Sequence, residues 1–184
     1  MKTLLLLISL STVALHAQTV PANSQYEGMW EGYDGEWDHV SRQLIALAEA
    51  IPADRYTWRP APGVRSVSEV LVHLAQSNFY LLSVTRPQIP ADLDHHNLKE
   101  TLTSKPVIIA DLKRSLEAVR AARSQLKPED LQRKIQIEGK TVPVDGMYLR
   151  IIVHDNEHMG QLIAYARMNG IAPPWSRPAA AAGK

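Results

Sequence analysis

The sequence contains no cysteine. That excludes disulfides, thiolate nucleophiles, thiolate metal sites and lipidation of an N-terminal Cys. It also lacks a dominant charge: 20 Lys plus Arg stand against 19 Asp plus Glu, a formal net charge of +1. Without a basic block there is no electrostatic case for nucleic acid or an anionic membrane as a partner. H-E-x-x-H, G-x-S-x-G and a phosphate-binding glycine loop are missing too, which argues against a zincin protease, an α/β hydrolase and a P-loop enzyme. There is no internal repeat and no long low-complexity segment. Any catalysis must run through His, carboxylates, hydroxyls or a metal held by nitrogen and oxygen.

What is present suits one domain. A chain of 184 residues, 45% of them hydrophobic, is long enough for a core and too apolar for wholesale disorder. Residues 1–17, MKTLLLLISLSTVALHA, join a positive start at Lys2 to a short apolar run from Leu4 to Leu15, with Ala17 as a small residue before the cut. This reads as a secretory signal peptide, the run being shorter than the roughly 20 apolar residues of a membrane span. The expected mature chain is exported, periplasmic or secreted, and has no membrane contact after cleavage. Leu15 is larger than ideal at its position, so the cut is less sharply defined than the signal.

Apolar residues spaced alternately by three and four, Trp30, Tyr33, Trp37, Val40, Leu44, Leu47 and Ile51, predict a first helix that Pro52 ends. Gly28, Gly32 and Gly35 weaken its first turns. Ser66-Val67-Ser68-Glu69 is a capping box that starts a second helix, with the stripe Val67, Val70, Leu71, Leu74, Leu81 and Leu82. Trp58 to Arg65 is expected to be a structured loop that sets its entry. Pro87 and Pro90 close it, and a polar stretch with His95 and His96 follows. Pro106 suits the first turn of a third helix striped by Ile109, Leu112, Leu116 and Val119, beyond which lies Pro128. Residues 133–142 alternate weakly around Gly139, as a hairpin or an extended loop. The fourth helix spans about Val144 to Asn169, with Gly170 placed for its C-terminal cap. The expected organisation is an all-α, four-helix bundle over residues 18–177 with a flexible tail at 178–184.

His154 and His158 lie one helical turn apart, and share a face with Met147, Ile151, Leu162 and Tyr165, so they point into protein. Two imidazoles so placed can share a metal ion or be held by hydrogen bonds alone, and the spacing leaves both open. A third ligand must come from another helix, and His73, at the edge of the second helix's stripe, is the candidate. A single His there is more commonly a packed one. His95 and His96 read as solvated, His39 as exposed, and His16 leaves with the signal peptide.

The segment HDNEHMGQLIAYARMNGIAPP from His154 resembles the C-terminal signature of the DinB-like superfamily: His154, His158, Gly160, Gln161, Tyr165, Arg167, Gly170, Pro173 and Pro174. Upstream, Trp58-Arg59-Pro60, Pro62-Gly63, Arg65-Ser66 and His73 are similar to that family's loop and second helix. The similarity runs from about Trp37 to Pro174. It implies an up-and-down four-helix bundle of the DinB/YfiT-like type with a divalent metal ion on His73, His154 and His158. Many members carry Arg where this chain has Met159, a departure expected to change the pocket wall and to spare the ligands.

Three neutral imidazoles leave a coordination position open for activating water or a substrate thiolate. Zinc and nickel suit such ligands, and iron is compatible. The family's thiol-dependent transferases and isomerase work on cytoplasmic thiols, so their activity does not carry over to an exported chain. Gln161, seven residues after His154, is a candidate for orienting a ligand or a bound water from behind, or for a simple packing hydrogen bond. Asp155 and Glu157 face away from the histidines, Glu157 less completely. Two function classes follow: a metal-dependent hydrolase or transferase on an unidentified small molecule, and a non-catalytic exported metal-binding or interaction bundle. A homodimer is allowed by either.

Overall fold

The computed structural model describes residues 32–85 and 104–176. The signal segment, Trp30, Pro87, Pro90, His95, His96 and the 178–184 tail lie outside the described residues. The chain forms α1 (Tyr33–Ala50), a 3-10 turn (Ala53–Arg55), α2 (Val67–Ser83), α3 (Lys105–Ser124), a single turn α4 (Pro128–Leu131), β1 (Lys134–Ile137), β2 (Lys140–Pro143), α5 (Val144–Met168) and a closing 3-10 turn (Pro174–Ser176).

Four of these helices form a bundle, as the sequence implied. α2 packs against α3 and α5, and α1 packs against the same two. Their directions follow from end-to-end contacts. The start of α1 meets the start of α5 through an edge-on Tyr33–Tyr148 contact. The end of α1 meets the start of α3, where Lys105 Nζ donates to the carbonyls of Glu49 and Ile51. The end of α2 meets the start of α5, where Arg133 donates to the Thr85 carbonyl. α1 and α5 therefore run one way, and α2 and α3 the other. The consecutive α2 and α3 are parallel, so the order is up-down-down-up, a correction to the up-and-down order expected. The long connection between α2 and α3 allows it. Trp37, Val40, Leu44, Leu47, Leu71, Leu74, Leu112, Ile151 and Leu162 fill the space between them, all fully or almost fully buried. Removing that apolar area from water is the main favourable term in folding. In α3, Ile108 is buried and Ile109, expected in the stripe, only partly so.

The local signals act as their chemistry requires. Ser66 Oγ accepts from the Glu69 amide, and the Ser66 amide donates to Glu69 Oε2 at 2.6 Å, completing the capping box. The preceding loop is tied down on several sides. Arg59 donates to the Val64 carbonyl and to Glu69 Oε1, and the Val67 and Ser68 amides donate to the carbonyls of Trp58 and Tyr56. Pro106 lies in the first turn of α3. At the end of α5, Gly170 takes φ 72°, and the Gly170 and Ile171 amides donate to the Arg167 and Ala166 carbonyls. That is a Schellman motif, which needs a residue tolerant of positive φ at this position.

Residues 134–143 resolve as a hairpin. Ile135 pairs with Val142 and Ile137 with Lys140 across the two-residue turn Glu138-Gly139, both at positive φ. Such a turn matches the right-handed twist of paired strands. The hairpin leads directly into α5, so it stands beside the first turns of the helix that carries two histidines.

Candidate metal centre

α2 and α5 lie side by side and antiparallel, and each presents one edge of its apolar face to the other. His73 comes from α2, and His154 and His158 from successive turns of α5. The centroids of the His73 and His154 rings are 5.1 Å apart, those of His73 and His158 4.9 Å, and those of His154 and His158 4.6 Å. One ring nitrogen from each lies within 4.8 Å of the other two. All three are mutually edge-on, so no ring stacks flat on another and each can turn a nitrogen towards a common point. Among the described residues no fourth His, Asp or Glu joins them.

Burial and neighbouring charge keep His154 neutral. His154 is only 6% exposed. Its imidazole is pushed down to about 4, first by burial, then by the neighbouring His158 and His73, and then by Arg150 and Arg65. It is therefore an uncharged base at neutral pH, the form that coordinates. Its Nδ1 is buried without a hydrogen-bond partner among the described residues. A buried polar nitrogen left unpaired costs on the order of 1–3 kcal/mol. A divalent cation satisfies the nitrogens at once, so the residues present fit a metal ion.

Behind the site runs a line of support. His158 Nδ1 is 2.8 Å from Gln161 Oε1, Gln161 Nε2 donates to Tyr165 Oη at 2.7 Å, and Tyr165 Oη donates to the Arg65 carbonyl at 3.2 Å. The Tyr165 ring also meets Trp58 edge-on, 5.4 Å between centroids. The loop before α2 and the last turns of α5 thus hold each other in register beside the histidines. With Gln161 Oε1 as acceptor, His158 carries its proton on Nδ1, and Nε2 is left with its lone pair.

His39 is exposed, as its position implied. Glu157 is exposed and points to Arg150, 3.9 Å away. Met159 corrects an expectation: it is buried in the core, and does not line the cavity beside the histidines. One residue past His158 is a rotation of about 100°, enough to carry it away from that edge.

Asp155 also faces away from the histidines, but into the bundle and not into solvent. It is fully buried. Asn78 Nδ2 donates to its Oδ2 at 3.3 Å and to Ser115 Oγ at 3.4 Å. Burial pushes the Asp155 carboxyl up to about 8, against the lowering effect of Asn78. The sequence did carry a signal: Asp155 lies four residues after Ile151 and four before Met159, on the apolar side of the helix.

A cavity of about 620 Å³ opens beside the centre. His73 and His154 form part of its wall, with Ser77 and Tyr80 of α2, Arg150 and Met147 of α5, and the hairpin through Ile137, Glu138 and Val142. Neither the hairpin wall nor Arg150 was a site feature of the sequence reading.

The model of the DinB superfamily matches residues 36–162. An uncharacterized protein of Bacillus subtilis, YjoA, is 29% identical over 127 residues, covering 67% of this chain and 80% of that protein. The crystal structure of YjoA, a DinB-like protein, aligns with a TM-score of 0.60 at 24% identity, over 75% of this chain and 92% of that one. A DinB-like protein from Bacillus cereus aligns with a TM-score of 0.65 at 20% identity, over 78% of this chain and 95% of that one. These two likenesses are of fold.

Proposed function

The chain belongs to the DinB superfamily, and from that premise we propose that it is a metal-dependent hydrolase or transferase acting on a small molecule. The observation that carries this reading is the convergence of His73, His154 and His158 on one point beside an open cavity. A purely structural metal site is closed by its own ligands, whereas a catalytic one keeps a position free and accessible. Three histidine ligands with no fourth candidate among the described residues, next to a cavity of small-molecule size, match the second pattern. That favours an enzyme over the non-catalytic bundle.

A divalent ion held here supplies Lewis acidity, and three uncharged ligands leave its charge unreduced. Zinc or nickel fits the imidazole set, and iron is compatible. The chain's own residues do the rest. Burial keeps His154 unprotonated. Gln161 orients His158. Tyr165 anchors Gln161 to the loop before α2. Met147, Leu81 and Val142 supply apolar wall that excludes water from part of the cavity. We place this activity outside the cytoplasm, on the strength of the leader-like residues 1–17.

Elemental analysis of purified protein, followed by a hydrolysis and thiol-transfer screen with and without chelator, tests the reading. One equivalent of metal, lost in a His154→Ala variant together with a chelator-sensitive activity, is the expected result. Full-length, folded protein that neither retains nor takes up zinc, nickel or iron would overturn it.

A further inference from the structure

The cavity beside the histidines has a charge pattern that three-histidine coordination does not explain. Arg150 lines it, four residues and one turn before His154 on the same edge of α5. Ser77 lines it from α2, four residues after His73. Each helix therefore puts a polar side chain one turn along from its metal-ligating imidazole, on the same side of the antiparallel pair. The ligand set is neutral, so an ion held there keeps its full charge, and no carboxylate joins it among the described residues.

We propose that this cavity takes a small molecule bearing an oxyanion, carboxylate or phosphate, with Arg150 gripping that group while the rest of the molecule reaches the metal. The inference rests on the metal-enzyme reading above and adds the substrate class to it. A guanidinium presents a planar fork that matches two oxygens of a carboxylate or phosphate, and Ser77 and Tyr80 offer hydroxyls on the facing wall. Arg150 is free to do so in energetic terms. Its contact with Glu157 is 3.9 Å long between two half-exposed side chains, a pair that water and salt largely screen. One carboxylate, Glu138 at the hairpin turn, also borders the cavity. It opposes an anion, and its removal separates an oxyanion site from a site for a cationic group.

Isothermal titration with succinate, methyl phosphate and the neutral succinamide tests this on zinc-loaded and chelated full-length protein. The variants are Arg150→Gln, Arg150→Lys and Glu138→Gln, each first shown to carry wild-type zinc. Succinate or methyl phosphate should bind zinc-loaded wild type, and succinamide at least about ten-fold more weakly. The stronger of the two acids identifies the oxyanion. Arg150→Gln should weaken the bound acid by about ten-fold, and Arg150→Lys should recover only part, because it restores charge without the fork. Glu138→Gln should bind the acid as tightly or more tightly. Acid binding that is unchanged in Arg150→Gln, or weakened in Glu138→Gln, overturns the Arg150 assignment and leaves the metal reading intact. So does the absence of binding by either acid to zinc-loaded wild type. Wild type that takes up no zinc but still loses acid affinity in Arg150→Gln overturns the metal reading and keeps the oxyanion subsite.

Discussion

Gln161 holds His158 from behind: its Oε1 is 2.8 Å from His158 Nδ1, and its amide nitrogen is fixed in turn by Tyr165. A metal ligand is only as well placed as the group on its other nitrogen. Replacing Gln161 with Ala is expected to weaken zinc binding by roughly 10–100-fold while leaving the protein folded. Competition with a chromogenic chelator reads this directly. An unchanged zinc affinity would reduce Gln161 to a packing contact.

Chelation should lower the thermal midpoint of the wild type at pH 7. A ligand that binds only the folded chain stabilises it by mass action, by about 2.7 kcal/mol at a free concentration one hundred times the dissociation constant. The His154→Ala variant should melt like the chelated wild type and respond little to chelator. Scanning calorimetry of both proteins makes the comparison, and a wild-type melt indifferent to chelator contradicts it.

Acid should weaken the entry to α2. The Ser66 amide, and then Arg59, hold the Glu69 carboxyl below its ordinary value. A carboxylate with a depressed folded-state value contributes stability that is complete above its unfolded value, near 4.5, and is lost as pH falls through the folded one. Glu69→Gln should therefore be less stable than wild type at pH 7, with the gap closing below about pH 4. Ser66→Ala should cost on the order of 1 kcal/mol at either pH, because the hydroxyl does not titrate there. Urea melts at pH 7 and pH 3.5 distinguish the two effects, and a Glu69→Gln gap that persists at pH 3.5 would count against the ionic part of the cap.

Asn78 is the donor that makes the burial of Asp155 tolerable. Asn78→Val should destabilise the protein by about 2–3 kcal/mol, since it strands a buried carboxyl and removes a neighbour of Ser115. The double variant with Asp155→Leu should regain part of the loss, because an apolar pair needs no hydrogen bond. Denaturant titration of the two single variants and the double variant forms the cycle, and strict additivity would argue against direct coupling.

Helix boundaries and the His154–His158 pair were largely legible in the sequence because each rests on a short-range rule, whereas His73 joined them only through the family resemblance. The Ser66–Glu69 box, the 154/158 spacing and Gly170 beyond the last turn are each decided within a few residues. The hairpin was legible only as one of two options, because the first turn position, at positive φ, is Glu138 and not the Asn, Asp or Gly usual there, leaving Gly139 alone to mark the turn. What was not legible depends on which elements meet. Arg150 reads as an ordinary exposed helix residue until the hairpin stands opposite it. Asp155 was placed only as facing away from the histidines, and its full burial follows from the packing of α1 as well as α2 against α5. Met159 was assigned to the pocket wall because many family members carry Arg at that position, and one residue of helical rotation past His158 takes it into the core.

The placement of His73 on one helix and His154 on its antiparallel neighbour has a topological consequence. An ion shared by them would tie together two points roughly eighty residues apart, closing a loop whose ends an unfolded chain seldom brings together. Extracellular proteins commonly obtain such a tie from a sulfur–sulfur bond, which this cysteine-free chain cannot make. On the proposed reading, coordination would take its place, with a difference in kind: the tie would be released by acid or a competing chelator and not by a reductant. Resistance to proteases and the lifetime of the native state should then follow metal supply and stay indifferent to the redox state of the surroundings.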